Sequence, residues 1–382
     1  MKPATVFIVL LGLVSLFSDM TYEAARSITG PFLAFLGTTA TVVGFIAGLG
    51  EFIGYALRLF SGWLADKTGK YWSIAIAGYL INLLSVPALA LVGQWQLAAL
   101  LIMAERTGKA IRTPSRDAML SYATVQIGHG CGFGLHEAMD QIGAMVGPLI
   151  VAAVFYFHGG YKEAFAVLLI PAAIAITILL FARFLYPSPK DLEIPKLQIE
   201  TKSLSKVYWL YLIAVALNGA GYADFPLIAY HFKKVATVSE HWIPVFYAMA
   251  MGIDALAALI FGYLFDKKGL SILIFSVLIS AGFAPFCFLG GFYSALFGML
   301  LWGIGMGAQE SIMRAAVAVL VPKEKRGIGY GVFNTGYGLF WFLGSTALGL
   351  LYDFSVSALV LFSVLLQLSS IPFLIRVRKM LH

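Results

Sequence analysis

The sequence predicts an all-α membrane protein: twelve transmembrane helices in two pseudo-symmetric six-helix bundles. Three observations predict it. Of the 382 residues, 60% are hydrophobic and 12% charged, with a mean hydropathy of +0.88; a soluble chain carries roughly twice that charged share. About twelve apolar runs follow one another, each near the roughly 20 residues that cross the hydrocarbon layer. The third observation is repetition. Gly62-Trp63-Leu64-Ala65-Asp66-Lys67-Thr68-Gly69-Lys70-Tyr71 returns two hundred residues later as Gly262-Tyr263-Leu264-Phe265-Asp266-Lys267-Lys268-Gly269. Gly132-Phe133-Gly134 is echoed at a similar offset by Gly329-Tyr330-Gly331. A fixed offset near half the chain length means duplication.

Taken in order, the first six spans fall near 4–36, 41–65, 71–92, 95–122, 128–157 and 163–186. The first run starts after Lys2 and continues through Asp19, Tyr22 and Glu23 without a small-residue cleavage site, so it is a span and not a leader. Spans two and eight each close on glycine and turn through Asp, lysine and glycine. The remaining spans fall near 206–232, 241–265, 270–290, 292–320, 328–353 and 356–378. Pro187 to Ser205 is a long polar segment with mixed charge (Lys190, Asp191, Glu193, Lys196, Glu200, Lys202) and reads as a cytoplasmic linker. The expected domains are therefore bundle 1–186, linker 187–205 and bundle 206–382. Cys131 and Cys287 lie inside apolar runs and suggest no disulfide framework.

Charge sets orientation. Turns after even-numbered spans hold Lys67 and Lys70, Arg183 with the linker lysines, Lys267 and Lys268, and Lys323, Lys325 and Arg326. The tails add Lys2, Arg376, Arg378 and Lys379, whereas turns after odd-numbered spans hold little beyond Lys162, Lys233 and Lys234. The positive-inside rule then puts both termini in the cytoplasm; the expected location is a prokaryotic inner membrane. A formal charge of +7 gathered on one membrane face implies the bilayer as partner and no nucleic acid.

The Gly-x-Leu-x-Asp-(basic)-x-Gly signature between spans two and three, its copy between spans eight and nine, and the two halves joined by a linker resemble the major facilitator superfamily. Gly143-x-x-x-Gly147-Pro148 on span five is similar to that family's antiporter motif; Gly344-Ser345 stands at the matching place without the proline. The resemblance covers essentially the whole chain. It implies alternating access about a central cavity, a path that carriers of duplicated design place at the repeat interface. It also implies a conformational latch at Gly62, Asp66, Gly69 and Lys70, with Asp266 the weaker copy; Arg116 and Asp117, near the cytoplasmic end of span four, are candidate latch or interface partners. Physically, Asp66 at a helix end can accept hydrogen bonds from a neighbouring helix N-terminus.

Ionisable groups inside spans are costly and usually face a cavity. Span one carries Asp19, Glu23 and Arg26, with Asp19 and Glu23 one turn apart on one face; span two carries Glu51 and Arg58. Span four is densest, with Glu105, Arg106, Lys109, Arg112, Arg116 and Asp117, and span five holds His136, Glu137 and Asp140. The second half is sparser: Asp224, Asp254, Glu310 and Arg314. Tyr22 and Tyr222 occupy equivalent repeat positions, each beside an acid, and read as cavity wall. Low-dielectric surroundings disfavour a charged carboxylate, which makes Asp19 and Glu23 the best candidates for proton loading; pairing with Arg26, Arg58 or Arg112 would make them structural instead.

His136-Glu137-x-x-Asp140 is similar to a zinc-protease helix motif but ends in Asp. His136 and Asp140 share a face, so a transported metal ion could touch both. Three readings follow. The leading one is a proton-coupled secondary transporter exporting a small polar or amphipathic solute. The second is a divalent metal exporter using the acids and histidine of spans one and five. The third is a membrane sensor without transport. No enzyme motif, nucleotide loop or cofactor site is legible. The expected partners are a small-molecule substrate, protons and lipid, and a monomer is compatible with all three.

Overall fold

The computed structural model describes residues 3–124, 129–187, 204–321 and 326–381. Helices form wherever the apolar runs predict them. Spans one to five are α1 (Pro3–Phe35), α2 (Ala40–Thr68), α3 (Tyr71–Ala88), α4 (Trp95–Thr124) and α5 (His129–Tyr156). Span six is α6 (Tyr161–Val167) plus α7 (Leu169–Leu185), and span seven is α8 (Lys206–Gly221) plus α9 (Phe225–Val235). Span eight is α10 (Trp242–Lys268), and span nine is α11 (Ser271–Ser280) plus α12 (Phe283–Leu289). Span ten is α13 (Phe292–Ala308), a π turn (Gln309–Met313) and α14 (Arg314–Leu320). Spans eleven and twelve are α15 (Arg326–Phe354) and α16 (Val356–Leu381). The breaks have local causes. Pro171, Pro226 and Pro285 sit just past the interruptions in spans six, seven and nine, where the missing N–H deprives the preceding turn of a bond.

Among the described residues nine helices are long and apolar enough to cross a membrane. α4 falls outside that set because its charges interrupt its apolar surface.

The sequence echoes are also structural echoes. Gly69 ends α2 at φ +67° and Gly269 ends α10 at φ +59°, a left-handed cap that only glycine enters without cost. In both, the glycine N–H donates to the carbonyl four residues back, Ala65 or Phe265, at 2.8 Å. A Cβ at Gly132 would strike Thr124, and one at Gly329 would strike Val321, so both glycines face the end of the preceding span.

Two compact units result. Unit 1 comprises Met1–Phe32, Ile53–Lys196 and Glu240–Ala248; unit 2 comprises Leu33–Phe52, Leu197–Ser239 and Met249–His382. Unit 1 has a core of apolar side chains including Phe7, Trp72, Tyr79, Met119 and Leu179. Its helices also meet backbone to backbone, as small residues allow in lipid. A Cβ at Gly143 or Gly147 would land on the Leu16 or Met20 carbonyl of α1, and one at Gly108 would land on Asn82 of α3. In unit 2, Gly303 and Gly307 likewise meet the Ala250 and Asp254 carbonyls of α10. The start of α2 is held there by Asp353, which accepts from the Ala40 N–H (3.2 Å), the Thr41 N–H (2.8 Å) and the Thr41 hydroxyl (2.6 Å).

Candidate functional site

The close approach of α1, α4 and α5 in unit 1 brings together most of the charged residues predicted from the sequence. Helical spacing puts Asp19, Tyr22, Glu23 and Arg26 on one side of α1. Asp19 and Glu23 are 7% exposed each. Glu23 Oε1 lies 3.7 Å from Lys109 Nζ and 4.0 Å from Arg26 Nη1, while its Oε2 accepts the Tyr247 hydroxyl hydrogen bond at 2.5 Å. Lys109 Nζ also sits 3.9 Å from the centroid of the Tyr22 ring, within cation–π range. One lysine thus bridges a carboxylate and an aromatic face.

Arg112 is buried against the Tyr79 ring, 4.4 Å from its centroid, with Tyr22 at 5.6 Å. Arg106 pairs with Glu105 at 3.3 Å, and Asn82 of α3 donates to Glu105 Oε1 at 2.8 Å. Arg116 reaches Asp117 at 2.8 Å, the Ser15 hydroxyl at 3.1 Å and Asp140 at 3.9 Å. His136 Nδ1 is 3.5 Å from Asp140. Among the described residues, Asp19 Oδ1, Arg112 Nε and Nη1, His136 Nε2 and Asp140 Oδ1 are buried without a hydrogen-bond partner. Buried polar atoms are almost always bonded, so such a set marks where a proton, ligand or water belongs.

The span-five glycines position this cluster. Gly143 lies over the Leu16 carbonyl with Asp19 Cβ as its next neighbour, so α5 delivers Asp140 beside α1. Pro148, one position past Gly147, is buried within the same helix.

Glu137 faces outward on α5, and Glu310 is exposed in the π turn. Glu51 and Arg58 are half-buried on α2, with Arg58 over the Tyr55 ring at 5.4 Å. Asp66 is exposed and accepts the Tyr71 hydroxyl hydrogen bond at 2.9 Å; Lys70 and Asp266 are exposed, and Gly62 packs on Pro114. The Arg314 side chain and the linker acids and lysines lie outside the described residues. In unit 2, Asp224 sits at the break in span seven, where its Oδ2 accepts from Trp341 Nε1 and the Ser345 hydroxyl, both at 2.8 Å. Tyr222 is enclosed by Phe283, Trp302 and Trp341 and donates to the Trp302 carbonyl. Asp254 is buried on α10. Sequence reasoning missed Tyr247, Tyr79 and Trp341, since nothing in their neighbourhood sets them apart from the other aromatic residues.

The sequence model of the Major Facilitator Superfamily matches residues 11–345. The chain belongs to that superfamily. This facilitator is 38% identical over 379 residues to an uncharacterized protein of Mycobacterium tuberculosis, covering 97% of this chain and 93% of that one. It is 28% identical over 379 residues to an uncharacterized MFS-type transporter of Methanocaldococcus jannaschii, covering 94% and 92%. Its fold is similar to the crystal structure of the nucleoside transporter NupG, with a TM-score of 0.74 at 14% identity, covering 100% of this chain and 99% of that one; at that identity the likeness shows fold alone. The facilitator is an integral, multi-pass membrane protein with the family and fold of carriers.

Proposed function

We propose that this facilitator is a proton-coupled antiporter that exports a small polar or amphipathic solute by alternating access of bundles 1–186 and 206–382. One observation carries the reading: the buried, mixed-charge cluster of α1, α4 and α5 holds unpartnered acceptors on Asp19 and Asp140 and unpartnered donors on Arg112. Charge inside a membrane span is expensive and is kept where ions or substrates are handled. Asp19 and Glu23 are the proton-loading groups in this reading. Lys109, Arg26 and Arg112 balance them, and Arg106 and Arg116 hold the neighbouring carboxylates in place. Outward direction is supported by the Gly143-x-x-x-Gly147-Pro148 motif, and cytoplasmic termini by the lysine and arginine distribution. The metal reading finds less support. His136 and Asp140 approach each other, yet no group of three or more acidic, histidine or cysteine residues among the described residues could hold an ion.

The test is flux in proteoliposomes under an imposed pH gradient, with a panel of zwitterionic, anionic and amphipathic solutes and divalent metals. Asp19→Asn and Glu23→Gln should each cut gradient-driven flux by about tenfold or more, the size of one hydrogen bond to a charged group. Unchanged flux and unchanged pH dependence in both variants would remove span one from coupling.

A further inference from the structure

α10 is a divided helix: its residues up to Ala248 cluster with unit 1, and those from Met249 onward cluster with unit 2. Within unit 1 its deepest polar attachment is Tyr247, 1% exposed, whose hydroxyl donates to Glu23 Oε2 at 2.5 Å. A second attachment lies just before the helix, where Tyr161 donates to Glu240 Oε1 at 3.1 Å. The two oxygens of Glu23 are therefore split by function. Oε1 faces the cations Lys109 and Arg26, and Oε2 faces the helix that leaves the unit.

We infer that Tyr247 is a positioning residue that ties the start of α10 to the charge state of Glu23, so that a proton or a cationic substrate group arriving at Glu23 frees that helix end. The inference rests on the coupling reading of Glu23 given above. A phenol donating to a carboxylate makes a charge-assisted bond, roughly twice as strong as one to a neutral acceptor. Protonating Glu23 removes the charge, and a substrate cation on the carboxylate competes for it; either event weakens the tie. The groups facing Glu23 include Arg26, Asp19 and Tyr22 on its own helix, Arg106 and Lys109 on α4, and Tyr247 on α10. Because the cations outnumber Asp19, an arriving proton or amine has to displace existing pairings. That requirement makes the tie conditional on loading and not on thermal opening alone.

Cysteine accessibility reads the tie without requiring a known substrate. In a Cys131→Ser, Cys287→Ala background, Ala248→Cys is placed at a position 3% exposed, and Met249→Cys at one 40% exposed serves as the reference for thiol ionisation. Full-length protein in proteoliposomes is labelled with N-ethylmaleimide across pH. With Tyr247 present, labelling at 248 relative to 249 should be slow near neutral pH and rise on acidification. In Tyr247→Phe and in Glu23→Gln it should be faster by about tenfold, the size of one hydrogen bond to a charged group, and independent of pH. The double variant should be no faster than either single one, and Ala172→Cys, deep in the unit 1 core, should stay protected throughout. Parental labelling in both single variants, or a double variant showing the product of their effects, would overturn the inference; so would loss of protection at 172, which would mean general loosening. A tie seen by labelling, with flux untouched in Asp19→Asn and Glu23→Gln, would leave the tie standing and defeat the coupling reading. Lost flux with unmoved labelling would do the reverse.

Discussion

Lys109 serves two partners from one nitrogen, Glu23 at 3.7 Å and the Tyr22 ring at 3.9 Å. Replacing it with methionine keeps the apolar stem and leaves Glu23 with one fewer cation. Breaking one side of a buried ion pair costs about 3–5 kcal/mol, because a charge stays buried without its balance. Lys109→Met should therefore lower the unfolding temperature in detergent, followed by tryptophan fluorescence. Adding Glu23→Gln should recover part of that loss, since contacting residues are not additive. A double variant with the summed cost of the singles would show that Lys109 and Glu23 act independently. At this scale the sequence exposes the charged members of the site, because an ionisable residue inside an apolar run stands out. It hides their uncharged partners. Tyr247 and Tyr79 are single tyrosines among 18, and what makes Tyr247 special is a carboxylate 224 residues away.

At the scale of elements, backbone approach decides which helices share the site. Gly143 and Gly147 let α5 press on the Leu16 and Met20 carbonyls, with Asp19 between them in sequence. Gly134 on the same helix has open space at its Cβ position. Gly147→Leu should drive α5 off α1, with an overpacking cost of about 1–3 kcal/mol or more, and should remove flux together with thermal stability. Gly134→Ala should leave both unchanged. If both substitutions were tolerated alike, the glycine spacing would have no packing role. The span-five motif was legible in the sequence as Gly143-x-x-x-Gly147-Pro148. The interruptions of spans six, seven and nine were not, because the apolar runs continue through them. Pro171, Pro226 and Pro285 mark them in the sequence, but proline inside a membrane helix often kinks it without ending it. The polar break at Asp224, held by Trp341 and Ser345, therefore reads from sequence as one more charged residue in a span.

Across the whole molecule, duplication has preserved geometry more faithfully than chemistry. The turns after α2 and α10 share the left-handed glycine and the same 2.8 Å cap, which is why an offset in the sequence predicts the repeated turn so well. The charged side chains did not follow. Unit 1 gathers carboxylates and guanidinium groups around Asp19 and Glu23, whereas unit 2 buries Asp224 among indole and hydroxyl donors. Shared geometry and divergent chemistry make opposite demands on paired variants. Gly69→Ala and Gly269→Ala should each cost a similar amount, about 1–2 kcal/mol for a Cβ in the left-handed region, read as matching drops in unfolding temperature. Asp66→Asn should slow turnover while leaving the substrate concentration for half-maximal flux unchanged, as expected of a latch that does not touch substrate. Asp266→Asn, the copy in the less charged half, should slow it far less. A large affinity loss in Asp66→Asn would place that carboxylate at the substrate. Equal slowing by both aspartates would mean that the latch, like the turn that carries it, had been duplicated intact.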